Sequence, residues 1–219
     1  LENIEEGEIR KGVEDILKKR LLFIFPKSNV FLASSEEIKH RLRDMFPRIA
    51  FIDVDKDFFP PALFLDVKER QLWAIWCQVY PRLVEGCYYM DKEGIIFGSS
   101  PQFSGTLITK IKDIASTTPP LLSSPLETRE LSYIKVFKEG EERFEELRGL
   151  QFVFDDESRD SFEIETVEGW RIILDVTANP EEALENLILS LKEEIKGKRT
   201  RLDYIDLRLG NKIFYKFRN

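Results

Sequence analysis

Apolar residues recur at helical spacing near the start of the chain and then switch to strict alternation. Ile9, Val13, Ile16, Leu17 and Leu21 fall on one helical face and predict a helix from about Glu6 to Arg20. After a Pro-containing connection, Pro26 to Leu32, Ser34 with Glu37 three residues later forms a capping box. Ile38, Leu42 and Met45 supply the apolar stripe of a second helix that Pro47 ends. Ile49 to Asp55 and Ala62 to Glu69 then read as strands around the turn-rich Asp57-Phe58-Phe59-Pro60-Pro61. Leu63, Leu65 and Val67 share the inward face of the second strand. This unit of helix, helix, strand, strand occupies residues 1–70.

From Gln71 to Asn219 the chain reads as a mixed β-sheet domain with flanking helices. Leu72 to Cys77, Cys87 to Met90 and Ile95 to Phe97 are short strands, the last two joined by the turn Asp91-Lys92-Glu93-Gly94. Thr106 to Ile114 is ambiguous, and its tight boundaries favour strand. The Pro/Ser-rich Thr117 to Pro125 is a connector, followed by a helix around Thr128 to Phe137 with Leu131 and Ile134 inward. Gln151 to Phe154, Phe162 to Thr166 and Trp170 to Val176 form an antiparallel meander. Its turns are Asp155 to Asp160 and Glu168-Gly169. Asn179-Pro180 caps a further helix in which Leu184, Leu187, Ile188, Leu191 and Ile195 keep helical spacing until Gly197.

Leu202 to Leu209 and Ile213 to Phe217 alternate as two strands around Gly210-Asn211, a short-hairpin signal. The second strand is expected at a sheet edge, carrying aromatics instead of the charges that blunt a protected edge. Such an edge can accept a strand from another protein.

At 219 residues, 42% apolar and 33% charged, the chain is long enough for one large or two modest folded domains. A net charge of −7 argues against a nucleic-acid or anionic-membrane surface as the main partner. No apolar run approaches the length of a membrane span. The first residue is Leu, which leads us to expect a targeting or anchoring segment upstream. Cys77 and Cys87 flank a bend expected at Tyr80-Pro81, so a hairpin could set them opposite each other. A bridge would suit an oxidising compartment, and two unrelated thiols in a reduced protein fit the spacing equally.

Chemistry-bearing constellations are sparse. His40, the only histidine, lies among Lys39, Arg41 and Arg43 on the polar side of its helix. With no second histidine there is no multi-histidine zinc site, and a histidine so placed reads as a surface residue and not as the base of a Ser-His-Asp arrangement. The acidic turn Asp155 to Asp160 lacks the glycine and terminal glutamate of an EF-hand loop and contains Arg159, so it reads as a solvated turn. Gly94, Gly98 and Gly105 are isolated and make no phosphate cradle. Trp73, Trp76 and Trp170 read as sheet packing, since no basic groove accompanies them. We expect no catalytic residue, no cofactor and no metal.

The opening unit, ending in Ala62-Leu63-Phe64-Leu65-Asp66-Val67-Lys68-Glu69-Arg70, resembles the polypeptide-transport-associated (POTRA) domain of bacterial division proteins of the FtsQ/DivIB type. The Trp-containing strand at Leu72 to Trp76 and the hairpin Tyr89-Met90-Asp91-Lys92-Glu93-Gly94-Ile95-Ile96-Phe97 resemble the family's next elements. So does Tyr204-Ile205-Asp206-Leu207-Arg208, between a long helix and a final strand. The resemblance covers nearly the whole chain in order. It implies a fold of the α+β class: a POTRA-like β-α-α-β-β domain, its first strand missing or cut off before Leu1, followed by the family's β-domain. It further implies a non-enzymatic scaffold of the divisome at the division site. The protein would be a single-pass membrane protein with this region extracytoplasmic, anchored through an N-terminal segment absent from this chain. Its partners would be FtsB- and FtsL-like coiled-coil proteins and other division proteins. By position, Arg208 would pair with an acidic partner residue, and Leu209, Asn211 and Phe217 would contact partner side chains. Leu209 stands where some members carry an aromatic. The backbone from Ile213 through Phe214 and Tyr215 to Phe217 would supply the ladder.

Two further readings remain. A POTRA-containing periplasmic module could capture unfolded polypeptides by the same strand addition. A carboxylate hydrolase would need two carboxyl groups about 5–9 Å apart in a cleft.

Overall fold

The computed structural model describes residues 4–20, 34–79, 84–102, 105–114, 119–155, 160–210 and 212–218. The fold is α+β, and the chain divides into two compact units, Leu1–Gln71 and Leu72–Asn219.

The first unit consists of α1 (Glu6–Arg20), α2 (Ser35–Met45), β1 (Ile49–Phe58) and β2 (Pro61–Glu69). β1 and β2 form an antiparallel two-stranded sheet in which Ile52 faces Val67 and Val54 faces Leu65. The inward residues of alternation and the apolar stripes meet in one cluster: Val13 and Ile16, Ile38 and Leu42, Ile49, Ile52 and Val54. Leu63, Leu65 and Val67 lie against it.

Three expectations are corrected in this unit. Ser34 is the N-cap of α2, but its side chain makes no capping bond, and Glu37 pairs with Arg41 at 3.3 Å. Met45 is 48% exposed; Phe46, just past the helix, packs against the cluster instead. The strands run on to Phe58 and Pro61, so the turn narrows to the cis-linked Phe59-Pro60. Of the added residues, Asp57 lies on the outward face, where a charged side chain costs a strand little. Leu21 and the connection Pro26 to Leu32 fall outside the described residues.

The second unit contains β3 (Ala74–Val79), β4 (Val84–Met90), β5 (Ile96–Ser100), β6 (Lys110–Asp113), α3 (Thr128–Arg143), β7 (Gln151–Phe154), β8 (Ser161–Glu165), β9 (Arg171–Asp175), α4 (Pro180–Ser190), β10 (Leu202–Leu209) and β11 (Lys212–Phe217). They build one mixed nine-stranded sheet in the order β11-β10-β9-β8-β7-β6-β3-β4-β5. The pairs β3–β6, β6–β7 and β9–β10 are parallel. Parallel neighbours need a crossover, usually a helix, and for two of the three pairs a helix supplies it: α3 joins β6 to β7 and α4 joins β9 to β10, while the chain from β3 to β6 passes through β4 and β5. Both crossovers step the same way along the sheet, so a common right-handed sense puts both helices on one face.

That face is the core. Phe152 and Phe154, Phe162 and Ile164, Ile172 and Leu174, and Ile205 and Leu207 alternate inward from four successive strands to meet Tyr133, Ile134, Phe137 and Leu187 of the helices. Trp76 and Trp170 are fully buried, their indole N–H groups donating to Asp113 (3.2 Å) and Glu168 (3.0 Å). The Tyr133 hydroxyl donates to the Asp175 carbonyl at 2.7 Å; burial, with the Asp175 and Glu181 carboxylates adding, pushes its pKa up to about 12. On the opposite face, polar residues pair across the strands, as in Lys112–Glu165 (2.7 Å) and Arg171–Glu163 (3.0 Å).

Boundaries again move. α3 extends to Arg143 and β6 is only Lys110–Asp113. Asn179 caps α4, its side chain accepting from the Glu182 N–H at 2.9 Å. Regular α-helix ends at Ser190, however, and a π-turn (Leu191–Ile195) and a 3-10 segment (Lys196–Arg201) carry the chain to β10.

Cys77 and Cys87 stand directly opposite on β3 and β4 and are disulfide-bonded, with S–S 2.05 Å. The bend at Tyr80-Pro81 between them lies outside the described residues. Closing so short a loop stabilises a fold by about 2–3 kcal/mol in the chain-entropy account. The double substitution Cys77→Ser, Cys87→Ser should lower the urea stability of this unit by that amount. All three tryptophans lie in it, so tryptophan emission reads it selectively.

Candidate partner-binding edge

β11 closes one end of the nine-stranded sheet, paired only with β10. Tyr215 faces Ile205, Phe214 faces Asp206 and Lys212 faces Leu209, with irregular register on either side of the central pairs. The turn begins at Gly210, whose φ of +61° lies in the left-handed region that glycine enters without steric cost. Just past the strand, the Arg218 N–H bonds the Arg201 carbonyl at 2.7 Å. Antiparallel alternation from that bond turns the backbone groups of Lys216, Phe214 and Lys212 toward β10, and those of Ile213, Tyr215 and Phe217 away from the sheet.

The side chains divide likewise. Ile213 and Phe217 are half-buried against the core, and Tyr215 lies between them, 39% exposed, its ring 5.5 Å from that of Phe217. On the other face Phe214 is 51% exposed between Lys212 and Lys216. The edge thus carries blunting lysines as well as aromatics, which corrects the expectation of aromatics alone; the alternation Lys212-x-Phe214-x-Lys216 held that signal. Lys216 reaches Asp203 at 3.2 Å. Leu209, at the tip, is 60% exposed, and Asn211 lies outside the described residues.

Arg208 is held in place by its own strand. Its guanidinium grips Asp206 with two bonds (3.0 and 2.7 Å), and its N–H donates to the same carboxylate at 3.1 Å. The guanidinium bonds hold Asp206 below the usual carboxylate range, and Asp206 in turn raises Arg208. Arg208 therefore presents an oriented fork, with donors left for a second carboxylate.

Arginines also anchor the foot of the hairpin. Arg199, in the 3-10 segment before β10, makes two 2.8 Å bonds to Glu168 in the β8–β9 turn, and the Arg218 side chain donates to the Gly169 carbonyl. These contacts were invisible in the sequence because they join residues about thirty to fifty positions apart. The Arg199 bonds hold Glu168 below its ordinary value, so the pair adds stability above pH about 4.5 that is lost as pH falls through the folded pKa. A partly exposed pair of this kind is worth about 1 kcal/mol at most. Amide exchange in β10 should accelerate between pH 5 and pH 3, as monitored at matched intrinsic rates, and Glu168→Gln should flatten that profile.

The other end of the sheet differs. The N–H of Ile96 in β5 donates to the Ser123 carbonyl (3.1 Å) and its carbonyl accepts from Leu122 (2.8 Å), so the connector covers the start of that edge. Among the described residues no comparable segment lies along β11.

The remaining candidates have ordinary surroundings. His40 is exposed and pairs with Asp44 at 2.9 Å. Trp73 lies under the Lys138 ammonium, 4.8 Å from its ring centroid. Of the acidic turn, only Asp155 and Asp160 are described. Among the described residues no group of three or more His, Cys, Asp or Glu side chains is placed to hold a metal, and no helix is long and apolar enough to cross a membrane. Compared with protein-family models and with curated proteins, the chain matches none.

Proposed function

We propose that this chain is the extracytoplasmic part of an FtsQ/DivIB-type divisome scaffold, a non-enzymatic protein that binds FtsB/FtsL-type partners by strand addition along β11. The observation that carries the reading is the open edge itself: outward backbone groups on Ile213, Tyr215 and Phe217, flanked by exposed Phe214 and Leu209. In this mode main-chain bonds give affinity and alternate side chains give selectivity. Arg208, already oriented by Asp206, would engage an acidic partner residue. The Cys77–Cys87 bond fits an extracytoplasmic compartment, where disulfides persist. The order α1-α2-β1-β2 among the described residues of the first unit supports a POTRA-type domain, and the protein would be held at the membrane by a segment preceding this chain.

Calorimetric titration with the extracytoplasmic segment of the FtsB-like protein from the same genome tests this. Stoichiometric binding with a negative heat-capacity change is expected, as apolar surface is buried. A folded chain that gives no heat and no complex by sedimentation overturns the proposal.

A second reading has one observation in its favour. A groove of about 640 Å³ runs between α1 and β2, lined by Ile9, Val13, Leu63 and Leu65 among others, and it suits a transport-type module that captures extended polypeptide. Binding of a reduced, unfolded polypeptide in preference to the FtsB-like segment would favour it.

A further inference from the structure

The helical face of the second unit carries a groove that the edge-binding reading does not use. It has a volume of about 390 Å³ and lies between the second half of α3 and the length of α4. Its apolar lining is Val136, Phe144, Leu184 and Ile188, with Leu189 on the lip and 59% exposed. Close helix packing sets its depth: a Cβ built on Gly140 would lie 3.1 Å from Leu184.

α3 and α4 run parallel, because each returns the chain between parallel strands of one sheet and Gly140 meets Leu184 while Phe144 meets Lys192. The charged rim is sorted along that common direction. Glu181 and Glu185 border the groove on the N-terminal half of α4, and Glu139 borders it on α3. Arg143 and Lys192 border the C-terminal end, where both cations lie over the Phe144 ring, at 5.3 and 5.5 Å from its centroid. The π-turn places Lys192 there: Ser190 bonds back to the Asn186 carbonyl at 2.8 Å, and the helix widens at the next residue.

We propose that this groove docks an amphipathic helix of a partner protein, antiparallel to α3 and α4. Such a helix carries an apolar i, i+4, i+7 stripe, acidic residues in its first turn and basic residues in its last. The charges select this occupant. An antiparallel helix brings its N-terminal turn to Arg143 and Lys192 and its C-terminal turn to Glu181 and Glu185. Acidic-first, basic-last is also the order that its own macrodipole favours, and its dipole then opposes those of both helices beneath it.

The test uses two alanine-based helical peptides of about eighteen residues, long enough to populate helix, with the same leucine stripe. One has glutamates first and lysines last; the other has the charges exchanged. Fluorescence anisotropy against the whole chain should give micromolar binding of the first and at least tenfold weaker binding of the second. Leu189→Glu should abolish binding. The pair Arg143→Glu with Lys192→Glu should weaken the first peptide at least tenfold, and since the peptide is unchanged, its intrinsic helicity does not enter that comparison. Circular dichroism verifies that the variants fold, and Tyr215→Pro should bind the first peptide like the parent. Absence of binding to the parent, equal binding to all these forms, or dimerisation of the chain alone through this face would overturn the proposal.

Discussion

Tyr215→Pro is expected to weaken binding of the partner strand at least 100-fold while leaving the unit from Leu72 to Asn219 folded. The Tyr215 N–H points away from the sheet, so proline removes a donor that β10 does not use; proline is tolerated on edge strands for this reason. The folded chain loses the edge contact of the Tyr215 ring with Phe217, about 0.5–1.5 kcal/mol. The complex loses a ladder bond at the centre of the added strand, and the pyrrolidine ring occupies the space the incoming backbone needs. Together these correspond to about 2.7 kcal/mol or more. Lys216→Pro is the counter-experiment. It removes an inward donor from the β10–β11 ladder, so the hairpin itself should open, seen as rapid exchange of the Tyr204 and Asp206 amides, which face β11. Parent-like affinity in a folded Tyr215→Pro protein would sink the strand-addition proposal.

The largest loss of stability should come from Trp170→Ala. Trp170 is fully buried where β9 meets the helices, and truncating so large a side chain typically costs about 3–5 kcal/mol, transfer and cavity together. It also removes a hydrogen bond from Glu168, the carboxylate that fastens Arg199 below β10. Urea unfolding followed by emission from Trp73 and Trp76 should shift by that amount, and thermal unfolding should fall by roughly 10 °C or more. Trp170→Phe keeps most of the volume and should recover more than half of the loss. A cost below about 1 kcal/mol for alanine would mean that the indole contributes little to the packing of β9 against the helices.

The elements were legible in the chain wherever periodicity and a cap agreed. Asn179-Pro180 marks the start of α4 because a capping amide and an N1 proline act locally. Phe152, Phe154, Phe162, Ile164, Ile172 and Leu174 mark three strands because each alternation is complete within five residues. The order of strands was not legible. That β6 lies between β3 and β7, and that β10 runs parallel to β9, depend on where α3 and α4 return the chain, and no local pattern records it. The length of α3 was hidden for a related reason: Gly140 weakens a helix by about 1 kcal/mol in isolation, yet here its missing side chain lets Leu184 approach. At the edge, alternation identified Ile213, Phe214, Tyr215 and Phe217 as a strand. Arg208 engages Asp206, two residues back on the same face of β10, whereas Asp203, five residues away along the strand, pairs with Lys216 instead.

The two ends of the nine-stranded sheet are unlike, and this bears on how copies of the protein could associate. Repeated head-to-tail growth of a sheet requires an acceptor at one end and a donor at the other, and the connector at Ser123 already occupies the start of β5. Two copies can still meet β11 to β11, but that contact is two-fold and closes on itself, with Lys212 and Lys216 of each copy facing like charges. Growth through β11 then ends at a pair of copies, so an open edge strand flanked by lysines need not become the seed of a fibre.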